Sequence, residues 1–383
     1  MAVGIVREYD ALVVGAGPAG ACAARRLALD GARVLMAERK PRVGMPVQCA
    51  EYVPMFITYY VPLEAGHIAQ RVDEMETFLP TGEVVRNRFP GYVLHRSLFD
   101  KSLVASALKA GAELLLGARV TGLSDRGVVI ESRGPGGRER FEVAAKVVIG
   151  ADGPISTVGK AVGRENTEFV AGAQCEVLLD RPLEATRVYF DPEYFGGYGW
   201  VFPKGDTANV GVGVQLTGVP GPGNSLLEAR EVLEGFLDKL KVGRGRVLGY
   251  TGGLIPVGGP LAATSGRVLL AGDAAGHTHP LTGAGILHAV IGGEAAGRAA
   301  ARAIRDDDME ALQAYDDEWR SIFGRSLERA AERRALLLSN WCCDRAALSQ
   351  LIRRTWIAFR SPADRPLMDV PRRSPQWGRE AWR

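Results

Sequence analysis

Residues 15–20 carry the clearest chemical signal: they read Gly-Ala-Gly-Pro-Ala-Gly and follow a short apolar run. Gly15 permits a tight turn, Gly17 lets a pyrophosphate approach the backbone, and Gly20 lets the next helix pack against the sheet. The first amides of that helix then face the phosphates. Glu38 ends the following apolar strand, where it can accept a hydrogen bond from a ribose hydroxyl. This pattern predicts a dinucleotide site, whereas a structural β-α-β unit without a ligand leaves the acid at position 38 unexplained.

Two later segments place an aspartate at the end of an apolar run. Residues 146–153 read Lys-Val-Val-Ile-Gly-Ala-Asp-Gly and contain Asp152, and residues 267–276 read Arg-Val-Leu-Leu-Ala-Gly-Asp-Ala-Ala-Gly and contain Asp273. Ligands of doubly wound folds bind at the carboxyl ends of the strands. We therefore expect both aspartates near the dinucleotide, with the small residues after Asp273 opening a helix.

In this order, the motifs resemble the FAD-dependent family that includes p-hydroxybenzoate hydroxylase. The resemblance implies that Asp273 binds the ribityl chain and that Asp152 lies near the pyrophosphate. It also implies that Arg96, at a helix start, reaches the pyrophosphate as a bidentate cation. Residues 280–286, Pro-Leu-Thr-Gly-Ala-Gly-Ile, look like the loop whose amides face the isoalloxazine. The residues expected to bind FAD are Gly15, Gly17, Pro18, Ala19, Gly20, Glu38, Arg39, Cys49, Ala50, Arg96, Val120, Asp152, Gly153, Gly272, Asp273, Pro280, Gly283, Ala284, Gly285 and Ile286.

Three aromatic residues at alternate positions, Tyr198, Trp200 and Phe202, share one face if they stand on a strand. They form either part of a sheet core or the wall of a pocket. The run Tyr-Gly-Trp-Val-Phe-Pro is similar to the signature Pro-x-x-Tyr-x-Trp-x-Phe-Pro of the geranylgeranyl reductase family. Residues 44–51, Gly-Met-Pro-Val-Gln-Cys-Ala-Glu, look like that family's cysteine motif beside the flavin. The leading proline of the signature falls on Phe195, a departure that bears on the shape of the pocket.

The second resemblance implies an enzyme that reduces isolated double bonds of isoprenoid chains on a lipid, quinone or chlorophyll precursor. An unactivated alkene needs an apolar site, a hydride source and a proton donor. Cys49 is our candidate for proton delivery or substrate positioning, with a buried small hydrophobic residue as the alternative. Glu51 is a second candidate. The expected substrate residues are Tyr198, Trp200, Phe202, His277 and His279. No metal is expected at His277 and His279, because a third ligand is lacking.

Other functions are compatible with the FAD motifs. An aromatic or polyketide monooxygenase would use the same cofactor with oxygen and NADPH, and a flavin halogenase also has a tryptophan-rich signature. A lipid-binding or electron-transfer flavoprotein would lack its own alkene chemistry. No second nucleotide fingerprint is visible, so the electron donor is open between NADPH, ferredoxin and another reductase.

The elements that must position these residues predict an α/β fold. We expect a Rossmann-type FAD-binding domain with an inserted antiparallel-sheet substrate domain and a helical C-terminal region. Their ranges are 1–73, 91–165 and 265–308 for the FAD-binding domain, 74–90 and 166–264 for the substrate domain, and 309–383 for the helical region. Hairpins are expected around Pro80-Thr-Gly82 and around residues 134–137, the latter between strands 120–131 and 138–143. The substrate sheet should contain the strand-length runs 173–179, 186–190, 199–202 and 208–214.

The composition of the chain indicates which classes of binding partner to expect. The chain has 383 residues, of which 46% are hydrophobic, and a net charge of only +3, which argues against a nucleic-acid binder. Five scattered cysteines, with no leader or membrane-spanning run, predict a cytoplasmic protein. Residues 351–383 hold eight arginines and three acids, and five of the six tryptophans follow position 318. Peripheral contact with the inner face of a membrane is therefore a further expectation, with a packed helical region as the alternative.

Overall fold

The computed structural model describes residues 4–134, 137–216 and 224–359, and its strands there form two eight-stranded sheets. The strands are β1 (Gly4–Val14), β2 (Val34–Glu38), β3 (Tyr52–Pro54), β4 (Ile68–Phe78), β5 (Val84–Leu94), β6 (Glu113–Leu116), β7 (Ala118–Leu123), β8 (Gly127–Gly134), β9 (Gly137–Gly150), β10 (Phe169–Leu178), β11 (Thr186–Tyr189), β12 (Tyr198–Lys204), β13 (Thr207–Gln215), β14 (Val247–Pro256), β15 (Thr264–Ser265) and β16 (Val268–Leu270). The α-helices are α1 (Pro18–Leu29), α2 (Arg96–Lys109), α3 (Thr157–Ala161), α4 (Asn224–Lys239), α5 (Ile286–Asp306), α6 (Ala314–Trp319), α7 (Arg325–Ser339) and α8 (Arg345–Thr355).

The first sheet contains the predicted dinucleotide unit. Its central path runs β15-β16-β9-β1-β2-β6, and β1 pairs in parallel with both β2 and β9. Leu12 and Val13 point to opposite faces of β1 and are both fully buried, because both faces of a parallel sheet are covered. α1 connects β1 to β2 and packs against α5. The predicted order of strand, turn, helix and strand is confirmed.

Two local predictions in this region need correction. The run 120–131 is not one strand but parts of β7 and β8, which pair antiparallel around a turn at residues 124–126. The residues after Asp273 do not open a long helix. They form a single 3₁₀ turn that ends at Gly276, whose φ of +66° turns the chain out of the helical path. The long helix α5 begins only at Ile286.

The second sheet has the strand order β14-β10-β13-β12-β11-β4-β5-β3 and is antiparallel except between β11 and β4. The four predicted runs correspond to β10, β11, β12 and β13, and the predicted turn at residues 80–82 joins β4 to β5. The proposed domain boundary after residue 73 falls inside β4, because the hairpin extends back to Ile68. The remaining division into domains stays a prediction.

The two faces of this second sheet have different coverings. Val201 packs in the cluster that contains Leu233 and Phe236 of α4. Trp200 and Phe202, on the alternate face of β12, pack with residues of α7 and α8. Strand alternation therefore turns the aromatic residues away from α4 and toward the space between the two sheets.

The helical C-terminal region accounts for three of the tryptophans. Trp319 and Trp356 are buried, and the indole N–H of half-buried Trp341 donates to the Pro192 carbonyl oxygen at 3.1 Å. These three side chains thus pack within the protein, and Trp377 and Trp382 lie outside the described residues. In the part of the chain that the structure describes, no helix is both long and apolar enough to cross a bilayer. All five cysteines are described, and each has a free thiol.

Candidate active site

A cavity of about 650 Å³ is lined by residues of both sheets. The predicted site residues in its wall are Gly15, Gly17, Pro18, Ala19, Glu38, Arg39, Cys49, Ala50, Glu51, Arg96, Val120, Asp152, Gly153, Tyr198, Trp200, Phe202, Gly272, Asp273, His279, Gly283, Ala284, Gly285 and Ile286. Three predicted residues, Gly20, Pro280 and His277, lie outside the wall. Residues far apart in the sequence therefore meet around one space.

The glycine turn after β1 is fixed by its own backbone. Gly15 has a φ of +98°, and a Cβ there would stand 2.3 Å from the Ala151 carbonyl oxygen. Gly20 contributes packing rather than a ligand contact, since its Cβ would lie 1.9 Å from the Gly15 oxygen. By contrast, a Cβ at Gly17 would meet no heavy atom within 4 Å. The turn is thus tightly packed toward the protein and leaves room on its cavity side.

Glu38 is held at the end of β2 by backbone amides. Its carboxylate accepts a hydrogen bond from the Ala16 N–H at one oxygen and from the Lys40 N–H at the other, both at 2.8 Å. These bonds leave further lone pairs on the carboxylate, which can accept from a ribose hydroxyl. The acid is therefore fixed beside the glycine turn, as the spacing predicts.

Arg96, the first residue of α2, lies beside Cys49. Its guanidinium forms two 2.9 Å hydrogen bonds with the Asp100 carboxylate one turn later. Burial raises the pKa of the Cys49 thiol, and the neighbouring Arg96 cation opposes that rise. The thiol sulfur also accepts a hydrogen bond from the Glu51 N–H at 3.2 Å. Cys49 is thus a protonated thiol with a fixed cation next to it.

Glu51, the second predicted catalytic residue, is fully engaged with the protein. It is buried and has a φ of +71°. One carboxylate oxygen accepts from the Arg96 N–H at 2.9 Å, and the other accepts from Lys204 Nζ at 2.6 Å and Asn209 Nδ2 at 2.8 Å. Lys204 and Glu51 form a buried ion pair that joins the cysteine loop to the second sheet.

The cysteine loop, residues 44–51, has further contacts with the second sheet. Gln48 donates to the Gly252 carbonyl at 2.6 Å, and Thr251 donates to the Val47 carbonyl at 2.9 Å. Gln174 of β10 donates to the Cys49 carbonyl at 3.2 Å. Sequence reasoning missed Gln174. The available signal was a glutamine within the apolar run of β10, where a buried amide must find partners.

The aromatic wall is the side of the cavity formed by Tyr198, Trp200 and Phe202. The Tyr198 hydroxyl donates to the Thr282 carbonyl at 2.5 Å, and the Trp200 N–H donates to Gln174 Oε1 at 2.9 Å. The Trp200 indole fits because Gly211 faces it: a Cβ there would stand 2.3 Å from the ring. Wall residues that sequence reasoning missed include Tyr52, Phe56, Met75, Phe89, Val188, Ile255, Trp356 and Ile357.

Phe195 replaces the leading proline of the signature, but it lies outside the cavity wall. Its ring packs edge-on against Trp341, with the ring centroids 5.9 Å apart. This departure from the signature therefore changes a contact with the helical region and leaves the wall intact.

The predicted flavin loop joins the first sheet to α5. Gly283 has a φ of +64°, and residues 283–286 line the cavity. Pro280 instead turns its carbonyl toward buried Arg334, which donates to it at 3.2 Å. Asp273 accepts from the Thr278 hydroxyl at 2.7 Å, and burial raises the pKa of its carboxyl.

Asp152 lines the cavity but uses its carboxylate to start α3. It accepts from the Ser156 hydroxyl at 2.5 Å and from the Thr157 N–H at 2.7 Å. The backbone of the segment, with Gly153 at a φ of +89°, is thus the part free to approach a ligand.

The histidines separate into two environments. His279 lines the cavity, whereas His277 is buried against Trp319 and Phe323, with ring centroids 4.6 and 5.0 Å away. The prediction that His277 contacts substrate is corrected accordingly, because Gly276 turns the chain so that the ring enters the helical region. His288, which sequence reasoning missed, lines the cavity. Burial lowers the pKa of His277 and His279 to about 3 and that of His288 to about 4.

These residues fit FAD. The glycine turn offers room for a pyrophosphate, Arg96 supplies a cation beside the same cavity, and Glu38 and Asp273 supply acceptors for hydroxyls. The Nε2 atom of His288 is buried with no hydrogen-bond partner among the described residues, which leaves it available to a ligand. Within the same residues, no group of three histidine, cysteine or acidic side chains could hold a metal ion.

Comparison with known proteins agrees with this arrangement. The family described as "FAD dependent oxidoreductase" matches residues 10–170, and the one described as "Geranylgeranyl reductase catalytic domain" matches residues 177–255. Digeranylgeranylglycerophospholipid reductase 1 of Methanopyrus kandleri is 41% identical over 338 residues, which cover 85% of this chain and 89% of the relative. The chain belongs to the geranylgeranyl reductase family. It is an FAD-dependent oxidoreductase that reduces carbon–carbon double bonds, and the predicted family, fold class and cofactor are confirmed.

One further relative and two solved structures are also similar to this chain. Digeranylgeranylglycerophospholipid reductase of Methanocaldococcus jannaschii is 35% identical over 335 residues and covers 82% of both chains. A geranylgeranyl bacteriochlorophyll reductase-like protein of Thermoplasma acidophilum has a TM-score of 0.78 at 28% identity, covering 92% of this chain and 97% of that one. CmlS, a flavin-dependent halogenase, shares the fold with a TM-score of 0.65 at 19% identity over 94% of this chain and 70% of its own. The fold alone therefore does not distinguish reductases from halogenases.

Proposed function

We propose that this enzyme saturates the double bonds of geranylgeranyl chains on a glycerophospholipid by hydride transfer from reduced FAD. One observation carries the proposal: the aromatic wall faces the same cavity as the flavin loop and Cys49. The names of the Methanopyrus and Methanocaldococcus relatives support a phospholipid substrate. Quinones and chlorophyll precursors with the same side chain are the alternative substrates.

Reduction of an isolated alkene requires a hydride at one carbon and a proton at the other. When bound, reduced FAD supplies the hydride. The protein must hold the hydrocarbon chain, exclude water and supply the proton. Tyr198, Trp200 and Phe202 provide the apolar surface, and Trp200 is held in one orientation by Gln174 and Gly211.

Cys49 is the proposed proton donor. Its raised pKa keeps the thiol protonated, and the Arg96 cation stabilises the thiolate that forms when the proton moves to the alkene carbon. Solvent then returns a proton to the sulfur. Gln174 and the Glu51–Lys204 pair hold the cysteine loop in place, so we assign Glu51 to positioning rather than to proton transfer.

The electron donor and the cellular site complete the proposal. NADPH, ferredoxin or another reductase supplies the electrons, and the protein works in the cytoplasm with peripheral contact to the inner face of the membrane, where its lipid substrate resides. A cofactor-loaded sample that fails to sediment with anionic vesicles at low salt would remove the membrane contact from the proposal.

Anaerobic single-turnover reactions test the function. The protein, with its FAD chemically reduced, is mixed with a digeranylgeranyl glycerophospholipid, a geranylgeranylated quinone or a chlorophyll precursor. We expect flavin reoxidation and addition of two hydrogens per bond with the phospholipid. If the flavin is reoxidised only when oxygen is admitted to a parallel sample, with a hydroxylated product, the protein is a monooxygenase; no product with any substrate, with or without oxygen, would indicate a carrier.

Cys49→Ala tests the proton donor in the same reaction. We expect a loss of roughly 100-fold in the rate of lipid reduction with normal FAD content, because a positioned general acid contributes on that order. Cys49→Ser keeps the size but not the acidity, so it should be nearly as slow. Full turnover by Cys49→Ala would show that Cys49 is not the proton donor and contributes only to packing.

A further inference from the structure

Trp356 stands at the end of α8, where the helical region meets the cavity. Trp356 and the next residue, Ile357, both line the cavity wall. The indole is 3% exposed, and its ring packs against Phe190 and Tyr198 with centroid distances of 5.1 and 5.2 Å. It therefore extends the aromatic wall with a side chain from a different part of the sequence.

The indole N–H of Trp356 is buried and has no acceptor among the described residues. The other three described tryptophans all have one. Trp200 donates to Gln174 Oε1 at 2.9 Å, Trp319 to Asp316 Oδ1 at 2.9 Å, and Trp341 to the Pro192 carbonyl at 3.1 Å. A buried donor without a partner is rare in folded proteins and indicates a water, ion or ligand that completes the bond.

Apolar side chains pack around Trp356. The cluster around it is hydrocarbon and aromatic and includes Val188, Leu348 and Ile352. The nearby Tyr198 hydroxyl is directed to the Thr282 carbonyl of the flavin loop. Within the described residues no group accepts this bond, and a molecule bound in the cavity that Trp356 lines would supply the acceptor.

We infer that Trp356 donates a hydrogen bond to an oxygen of the bound lipid, at the point where the isoprenoid chain joins its polar group. This rests on the proposed function. An isoprenoid chain is hydrocarbon and has no acceptor, so only an ether, ester or hydroxyl oxygen at its end can take the N–H. Tyr198 lies between Trp356 and the flavin loop, so this contact fixes how far the chain extends toward the flavin.

Trp356→Phe tests the inference, because it retains an aromatic ring and removes the N–H. The two substrates are a geranylgeranyl ether lipid and a geranylgeranyl hydrocarbon of equal length without the oxygen. With the ether lipid we expect KM to rise about 3- to 10-fold at nearly constant kcat, the effect of losing one neutral hydrogen bond. With the hydrocarbon we expect a smaller rise in KM, which reflects only the loss of the larger ring from the cavity wall. Trp341→Phe, whose N–H bonds within the protein and outside the cavity, is the matched control and should leave both KM values unchanged.

A direct measurement uses FAD-loaded protein labelled with ¹⁵N at tryptophan. The indole resonance absent from Trp356→Phe should shift on addition of the ether lipid and should respond differently to the hydrocarbon. An equal KM change for both substrates, or the same indole shift with both, would overturn the inference in favour of packing or a bound water. If the parent protein reduces neither substrate, the proposed function itself fails, so the two failures are distinguishable.

Discussion

The two ends of the cavity are built in different ways. At the end where we propose that FAD binds, called the cofactor end, the cavity wall consists of the glycine turn, Glu38 held by backbone amides, and residues 283–286. At the end where we propose that the lipid binds, called the lipid end, the wall consists of side chains from β4, β5, β11, β12 and the C-terminus of α8. The first end is made largely of the backbone of short sequence motifs, and the second is made of single side chains from separate elements.

This difference explains which specificity each end can carry. Backbone sites demand particular φ values and the absence of a Cβ, so a single methyl group is expected to abolish them. A wall of side chains tolerates changes of size, because its neighbours can repack at moderate cost. Substitutions in the side-chain wall are therefore expected to change lipid binding without loss of FAD.

The largest effect is expected at the cofactor end, for Gly15→Ala. The added Cβ combines a positive φ with a 2.3 Å approach to the Ala151 oxygen, so the turn cannot keep its shape. We expect loss of bound FAD, measured by the flavin absorbance per protein. Gly31→Ala also has a positive φ, +86°, but no atom within 4 Å. It should cost only about 1–2 kcal/mol of stability and retain FAD. Equal FAD loss in both variants would contradict the steric explanation.

The buried ion pair of Glu51 and Lys204, which joins the cysteine loop to the second sheet, should give the next largest effect on stability. Lys204→Met leaves the buried Glu51 carboxylate without its cation, and breaking a buried ion pair in this way costs about 3–5 kcal/mol. Urea unfolding measures this cost. Lys239→Met, which removes the ion pairs of this partly exposed lysine with Glu193 and Asp191, should cost at most about 1 kcal/mol. Similar values for the two variants would show that the buried Glu51–Lys204 pair contributes no more to the free energy of unfolding than a surface pair does.

At the lipid end, Gly211→Ala should displace the Trp200 indole rather than abolish the site. A Cβ 2.3 Å from the ring forces the indole toward the cavity, and such overpacking costs about 1–3 kcal/mol. We expect a higher KM for lipid with FAD content unchanged. Gly235→Ala, in α4 with no atom within 4 Å, should slightly stabilise the protein and leave KM alone. Loss of FAD from Gly211→Ala would show that the two ends of the cavity do not act separately.

His277 predicts a pH dependence. Its pKa is lowered by burial from 6.5 to about 3, so the unfolded chain binds the proton and the folded chain does not. The contribution of His277 to the free energy of unfolding is therefore complete above about pH 6.5 and is lost as the pH falls toward the pKa of the folded state. His277→Phe should remove up to roughly 1 kcal/mol per pH unit from that decline, measured by urea unfolding between about pH 6 and 4.5. An unchanged slope would show that His277 is not buried in its neutral form.

The smallest effect is expected for Phe195→Ala. The lost edge contact with Trp341 is worth about 0.5–1.5 kcal/mol, and because Phe195 lies outside the cavity, KM for lipid should not change. A clear rise in KM would place the signature's leading position in the substrate wall after all.

Much of this protein follows from its sequence alone. The glycine turn, Glu38, the strands β10 to β13 and the alternation of Tyr198, Trp200 and Phe202 depend on local spacing, backbone sterics and side-chain periodicity, which a linear sequence records. The dinucleotide site followed from motifs of this kind, because a site made of backbone requires glycine at fixed positions, and the choice of FAD came from the family resemblance of those motifs.

Only the tertiary structure decided the rest. It gave Glu51 three donors, placed His277 behind the flavin loop, brought Gln174 to Cys49, and set Trp356 beside Tyr198. Each of these contacts joins residues of separate elements, and no periodicity or spacing encodes which elements meet. The physical reason is that long-range packing selects partners by shape and by the need to satisfy buried polar groups, and both are properties of the assembled fold.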